Sequence, residues 1–113
     1  MSPEEIAKQA SQAMFTADQA SQGLGMEISE IGPGYAKLTM LVRDDMLNGL
    51  KICHGGFMFT LADSTFAFAC NSYNQSTVAA ATNQVHGAAA KPTRPSTFCV
   101  RESDRRECCR RHR

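Results

Sequence analysis

The sequence has no tryptophan, two tyrosines and four prolines, and no stretch approaches the roughly 20 apolar residues of a membrane span. Its net charge is +1 over 113 residues, which gives no electrostatic reason to expect nucleic acid or a membrane as a partner. A secretory signal has a basic region followed by an apolar run, and the N-terminus has neither. We therefore expect one small cytoplasmic globular domain, whose limited core favours self-association.

The cysteines are odd in number, five, and are scattered, which is not typical of a secreted disulfide framework. Cys53 and Cys70 lie in patterned segments and are interpreted as small buried apolar residues, because no acid-base partner is placed for a nucleophile. Near the C-terminus, four residues could instead form a zinc site: Cys99, Cys108, Cys109 and His112. Adjacent cysteines lack the usual ligand spacing, so we predict no metal.

The first 42 residues predict a helix followed by a β-hairpin. Ser2 as cap, Pro3 in the first turn and Glu5 as the capping-box acid predict a helix from Pro3 to about Gln19. Its predicted apolar face consists of Ile6, Ala10, Met14 and Ala17. Strands are predicted over 26–31 and 35–42 around a Gly-Pro-Gly turn, with one wholly apolar face on the second strand. That face consists of Ala36, Leu38, Met40 and Val42.

The most apolar stretch runs from Gly55 to Asn71 and predicts a helix that is buried almost all round. A strand is predicted over 76–86. Beyond residue 86 the pattern dissolves, and residues 87–113 carry eight of the twelve basic residues. We predict disorder for this Arg- and Cys-rich tail.

The chemistry is concentrated at the start of that apolar helix. His54, Gly55 and Gly56 open it, and free N–H groups at a helix N-terminus, with the helix dipole, favour a developing oxyanion. Asp63 follows Gly55 by eight residues, about 80° round the helix and ~12 Å along it, so one chain spans such a site poorly and a second subunit could close it.

The residues alone leave several roles open. Asp63 is either a catalytic carboxylate or a structural one that bonds to Ser64, Thr65 or the backbone. His54 alone is more often a capping or core residue than a catalyst, and Asn48, before Gly49, is most often a turn residue. No Gly-x-Ser-x-Gly elbow, phosphate loop or dinucleotide fingerprint is present, which disfavours a covalent serine mechanism.

The ordered segments Met-Leu-Asn-Gly (46–49), Cys-His-Gly-Gly (53–56), Leu-Ala-Asp (61–63) and Phe-Ala-Phe-Ala-Cys-Asn-Ser (66–72) resemble the PaaI group of phenylacetate-degradation thioesterases. The resemblance covers roughly residues 5–80. It implies an α+β hotdog fold, in which an antiparallel sheet wraps a long central helix, working as a homodimer or homotetramer with sites between subunits.

The resemblance also implies roles. Asp63 would orient or deprotonate the attacking water, the Gly55 N–H would polarise the thioester carbonyl, Asn48 would position water or substrate, and His54 would support the loop. The substrates would be acyl- or aryl-CoA thioesters such as hydroxyphenylacetyl-CoA, with no metal or other cofactor.

The sequence departs from the group's pattern from about residue 81, where further strands are expected. We therefore expect a partial hotdog domain over 1–86, incomplete at its C-terminus through truncation or a frame change, followed by the tail over 87–113. The alternatives to a thioesterase are a non-catalytic acyl-CoA-binding hotdog protein and an inactive fragment.

Overall fold

A computed structural model describes residues 1–73 and the backbone of residues 95–100. Two N-terminal helices come first, then a β-hairpin, a 3₁₀ turn, a long helix and a third strand. The elements are α1 (Pro3–Ala17), α2 (Gln19–Gly23), β1 (Glu27–Gly32), β2 (Tyr35–Leu41), the 3₁₀ turn (Asp44–Met46), α3 (Gly55–Asn71) and β3 (Pro95–Val100). The strands form one antiparallel sheet in the order β1-β2-β3.

The start of α1 follows the predicted capping box. The Ser2 hydroxyl accepts from the Glu5 N–H and donates to the Glu5 carboxylate, both at 3.2 Å. The helix ends at Ala17, two residues before the predicted end, because the Asp18 carboxylate accepts from the Ser21 N–H and so caps α2.

The buried face of α1 is rotated from the predicted one. Ala7 and Ser11 are buried, whereas Ala17 is exposed and the other three predicted positions are half-buried. Small side chains at Ala7 and Ser11 allow close packing of the helix, and the Ser11 hydroxyl is satisfied within α1 by the Lys8 carbonyl at 2.9 Å.

The hairpin and its apolar face are confirmed. Gly34 has φ +68° in the turn, a conformation that glycine adopts without strain. Alternate residues of β2 and the residue after it face α3 and are at most 1% exposed: Ala36, Leu38, Met40 and Val42. The same core contains Met26, Met46, Cys53, Leu61, Phe68 and Ala69.

The helix predicted from Gly55 to Asn71 is confirmed with those bounds, but it is not buried all round. Its core-facing side packs against the sheet, while Gly56, Phe59 and Asp63 lie along an exposed stripe in the single chain. Phe59 is 47% exposed. The prediction of burial was wrong for this stripe, because a helix this apolar has more hydrophobic surface than the described part of the chain covers.

The strand β3 lies within the tail predicted to be disordered and pairs with β2 from Ala36↔Val100 to Leu41↔Pro95. The prediction of disorder was therefore wrong for residues 95–100. Backbone hydrogen bonds to β2 order this segment, and the composition of the tail does not reveal that pairing. The strand predicted over 76–86 and the rest of the tail lie outside the described residues. No helix in the described part is long and apolar enough to cross a membrane.

Candidate active site

The N-terminus of α3 presents one backbone donor that has no acceptor in the described part of the chain. The Gly56 N–H donates to Nδ1 of His54 at 3.0 Å, and the Phe57 N–H donates to the His54 carbonyl at 3.0 Å. The Gly55 N–H remains available, at the end of the helix where the dipole is positive. An oxygen that gains negative charge would be stabilised there.

The two glycines have different reasons to be glycine. A Cβ on Gly56 would lie 3.2 Å from Nδ1 of His54, so glycine makes room for the imidazole that caps the helix. A Cβ on Gly55 would meet nothing within 4 Å in this chain. The open space at Gly55 therefore lies where a ligand or a second chain can approach the backbone.

Asn48 organises the loop that leads to this helix. Its Oδ1 accepts from the Leu50 N–H at 2.8 Å and from the Ile52 N–H at 3.4 Å. Since backbone N–H groups only donate, the amide orientation is fixed, and the Nδ2 group has no acceptor among the described residues. Asn48 is thus a turn residue, as the residues alone suggested, and its amide group is also free to bind water or substrate.

The loop is joined directly to the helix start. The His54 N–H donates to the Met46 carbonyl at 2.7 Å, and Leu47 and Cys53 form an isolated antiparallel bridge. These contacts bring the loop of residues 47–53 back onto itself beside Gly55. The predicted site residues Asn48, His54 and Gly55 therefore belong to one local unit held together by hydrogen bonds.

Asp63 lies on the exposed stripe of α3 and has no hydrogen bond or ion pair with the described residues. The structural interpretation offered Ser64, Thr65 or a backbone group as its partner, but it bonds to no described backbone group and both hydroxyls are engaged elsewhere. Ser64 bonds to the Ser21 hydroxyl at 2.8 Å, and Thr65 donates to the Leu61 carbonyl at 2.7 Å. The exposed position leaves the carboxylate accessible for chemistry and removes the burial cost that the structural interpretation assumed.

Cys53 is 7% exposed, and its thiol contacts the His54 carbonyl at 3.6 Å. Burial raises the pKa of this thiol, which lowers the thiolate fraction near neutral pH. Its position therefore fits packing rather than nucleophilic attack. No cluster of three metal-ligating side chains occurs in the described part, and the side chains of the C-terminal cysteine set lie outside it.

Sequence reasoning missed one feature of this unit, the conformation of Lys51. Its φ is +60°, the one positive value at a non-glycine position among the described residues. Its N–H donates to the Asn48 carbonyl at 2.9 Å, which fixes the turn. The Asn-Gly dipeptide at 48–49 marks a turn in the sequence, but it does not indicate that the strained position is three residues after Asn48.

The fold is that of the hotdog thioesterases. The structure of the Escherichia coli PaaI protein from the phenylacetic acid degradation operon matches with a TM-score of 0.85 and 37% identity, over 87% of this chain and 71% of that one. A mutant of the phenylacetic acid degradation protein PaaI from Thermus thermophilus matches with a TM-score of 0.68 and 29% identity, over 73% and 70%.

A curated relative, the acyl-coenzyme A thioesterase PaaI of Escherichia coli, is 46% identical over 69 residues, which are 61% of this chain and 49% of the relative. The chain thus spans about half the length of that relative in the match. No family model matches the chain. The chain belongs to the PaaI family of hotdog thioesterases, which confirms the resemblance noted in the sequence.

Proposed function

We propose that the protein hydrolyses acyl- or aryl-CoA thioesters, using the Gly55 N–H as the oxyanion donor and Asp63 as the general base. The proposal is carried by two groups on the exposed side of α3, neither of which has a partner in the described part of the chain. They are the backbone N–H at the helix start and the carboxylate two turns further on. The name of the curated relative, an acyl-coenzyme A thioesterase, supports the substrate class.

The reaction needs no group beyond these residues and water. Asp63 takes a proton as water attacks the thioester carbonyl carbon, and the carbonyl oxygen becomes an oxyanion held by the Gly55 N–H. When the tetrahedral intermediate collapses, the C–S bond breaks and the sulfur of CoA leaves, receiving the proton from Asp63. The Nδ2 group of Asn48 orients the water or the substrate, and His54 keeps the helix start in place.

We also propose that the working site is formed by two copies of the chain. Gly55 and Asp63 of one α3 are ~12 Å apart along the axis, too far for both to act on one thioester carbonyl. Two antiparallel α3 helices that meet at the exposed stripe would bring Asp63 of one copy towards Gly55 of the other. This is the homodimer or homotetramer that the family resemblance implies.

Hydroxylated phenylacetyl-CoA is the substrate that we propose first, since the related structures come from phenylacetic acid degradation. We place the protein in the cytoplasm, because Cys53 and Cys70, the two cysteines whose side chains lie in the described part, are buried and form no disulfide.

The test is conversion of phenylacetyl-CoA, its hydroxylated forms and simple acyl-CoAs by the purified chain. Thioester and free CoA should be separated by chromatography, because the five cysteines of the chain would react with a thiol reagent. Release of CoA and the free acid is expected. A folded protein that binds CoA without releasing product would instead be a non-catalytic acyl-CoA-binding protein, and absence of cooperative unfolding would indicate an inactive fragment.

The variant Asp63→Asn tests the general base. It keeps the size of the side chain but cannot take the proton, so kcat should fall about 10²- to 10⁴-fold while CoA binding is retained. Asp44→Asn is the matched control, because Asp44 is an exposed acid that belongs to the 3₁₀ turn and not to α3. If Asp63→Asn turned over as fast as Asp44→Asn, the catalytic role of Asp63 would be refuted.

A further inference from the structure

The charge balance of residues 1–73 is unfavourable for a polyanionic substrate. Residues 1–73 contain eight acidic and four basic side chains. Two of the basic residues are in ion pairs, Lys37 with Glu30 and Arg43 with Asp45, both at 3.1 Å. Lys8 and Lys51 have no ion pair among the described residues. A CoA thioester carries several phosphate charges, so it needs cationic groups near the entrance to the site.

Lys51 is the available cation closest in the chain to the helix start. It is exposed, and it lies in the loop whose two ends are joined beside Gly55 by the Leu47–Cys53 bridge. Lys8 is on α1, in a different element. Only Lys51 of the two therefore belongs to the unit that holds the proposed oxyanion donor.

The upper limit on the distance between Lys51 and Gly55 is close to the length of the pantetheine arm of the substrate. Lys51 and Gly55 are four positions apart in the chain, so their Cα atoms are at most ~14 Å apart. The pantetheine arm contains two amide groups and is about as long as an extended peptide of four to five residues, ~15 Å, so the phosphates lie at that distance from the thioester. With the reacting carbonyl at Gly55, the phosphates would fall within reach of the Lys51 side chain.

The backbone of Lys51 is held in place by its neighbours. Its positive φ is an unfavourable conformation for a residue with a Cβ, and it persists because Asn48 accepts hydrogen bonds from three surrounding N–H groups, those of Leu50, Lys51 and Ile52. The exposed lysine side chain therefore projects from a turn whose backbone is held in one conformation. When the backbone that carries a long side chain is already fixed, binding has less conformational freedom to remove.

We propose that Lys51 is a binding residue for the phosphate groups of the CoA moiety. This inference rests on the proposed function, since it takes the CoA thioester as the ligand. It adds a recognition element outside the catalytic groups and predicts that the chain distinguishes CoA thioesters from the same acyl groups on pantetheine.

The test measures equilibrium binding of CoA, pantetheine and ADP to the full chain by calorimetry, which does not depend on turnover. Lys51→Gln removes the charge and keeps an unbranched side chain, so backbone strain at φ +60° is unchanged. It should weaken CoA binding about fivefold at low ionic strength, as expected for an exposed charge contact, and leave pantetheine binding unaltered. Lys51→Arg should restore CoA binding, and Lys8→Gln, the matched control, should have no effect.

The salt dependence gives a second readout. At about 1 M salt, where the Debye length is ~3 Å, wild type and Lys51→Gln should bind CoA with nearly equal affinity. ADP, which has the pyrophosphate without the arm, should bind much more weakly than CoA. ADP binding as tight as that of CoA would assign Lys51 to a separate nucleotide site and overturn the proposal.

Other outcomes separate this inference from the proposed function. If Lys51→Gln weakened binding of CoA and of pantetheine equally, the substitution would have changed the shape of the loop. If it weakened binding of neither, Lys51 would make no contact with the phosphates. Either result would overturn the role of Lys51. Binding of CoA that depends on Lys51 without any hydrolysis would support the inference while refuting the thioesterase activity. No binding of CoA by wild type would overturn both.

Discussion

At the start of α3, His54 accepts a backbone hydrogen bond and Gly55 has a donor that no described residue accepts. Nδ1 of His54 accepts the Gly56 N–H, so the neutral imidazole carries its proton on Nε2. Because the side chain occupies the Gly56 donor, the adjacent Gly55 donor is left for a ligand. His54 therefore acts as a positioning residue, and its Nδ1 atom is not available as a base for water.

The burial of Cys53 leads to a prediction about its reactivity. In the folded chain its raised pKa and its low exposure should both slow alkylation near neutral pH. Iodoacetamide labelling, followed by mass spectrometry of the Cys53 peptide, should be at least about tenfold slower in buffer than in urea, in line with the loss of both thiolate and access.

The control for this prediction is Cys53→Ala, which should retain thioester hydrolysis. Labelling of Cys53 at equal rates in buffer and in urea, or loss of turnover in Cys53→Ala with the fold intact, would favour a nucleophilic thiol. Since the folded state holds the neutral thiol, the unfolded chain ionises first as pH rises past the ordinary thiol pKa, and this group then reduces stability.

At the scale of elements, α3 is attached to its surroundings at both ends and in the middle. At its N-terminus the His54 N–H bonds to the Met46 carbonyl. At its C-terminus the Ser72 hydroxyl donates to the Ala69 carbonyl and accepts from the Gly34 N–H, both at 2.7 Å, which joins the helix to the hairpin turn. These attachments set the axial position of α3 and therefore of Asp63.

The middle attachment is a chain of three side chains that joins α2 to α3. The Ser21 hydroxyl donates to the Asp18 carboxylate at 2.6 Å and so accepts from the Ser64 hydroxyl at 2.8 Å. Ser21 is 1% exposed. Ser21→Ala should lower the free energy of unfolding by about 1–2 kcal/mol, because it removes both bonds, and Ser64→Ala should lower it by less.

Urea denaturation of the two single variants and the double variant measures this coupling. The double variant should lose less stability than the sum of the single variants, because both remove the same bond. Ser29→Ala, at an exposed position of β1, is the control and should leave stability unchanged. Strictly additive losses would contradict the shared hydrogen bond.

The elements also show what sequence reasoning can reach. Local signals such as the Ser2 cap, the Gly-Pro-Gly turn and the two glycines that open α3 predicted element bounds, because each acts through neighbours a few residues away. The Ser21–Ser64 bond spans 43 residues and leaves no trace in local pattern. For β3, the two-residue spacing of Phe98 and Val100 was a weak strand signal that the basic composition of the tail obscured.

At the candidate site, the sequence predicted the helix start correctly but not the exposure of Asp63 or the backbone conformation of Lys51. His54 and Gly55 could be predicted because a helix start is a local feature. The exposure of Asp63 could not, because the apolar composition of α3 suggested burial on every side. The conformation of Lys51 results from three hydrogen bonds to Asn48, a detail of loop geometry that residue type does not encode.

For the whole molecule, the exposed stripe of α3 predicts self-association. Placing a charge at Phe59 should prevent two α3 helices from packing together, because a buried unpaired carboxylate is costly. Phe59→Glu should therefore be a monomer by sedimentation equilibrium, where the wild type is a dimer or larger, and it should lose hydrolysis.

Leu41→Glu is the matched control, since Leu41 is 52% exposed and lies on β2 rather than on α3. It should keep the wild-type oligomeric state. Association of Phe59→Glu with the same affinity as wild type would show that copies of the chain meet at another surface.

The irregularity in β1 has a consequence for such assemblies. Pairing shifts between Ile28↔Leu38 and Glu30↔Lys37, so Ser29 is an extra residue in the strand. In the described sheet β1 pairs on one side only, and a bulge with Glu27 and Glu30 on that strand discourages another strand from adding to it. Copies of the chain that meet through α3, as proposed, would thus not extend further by strand addition at the β1 edge.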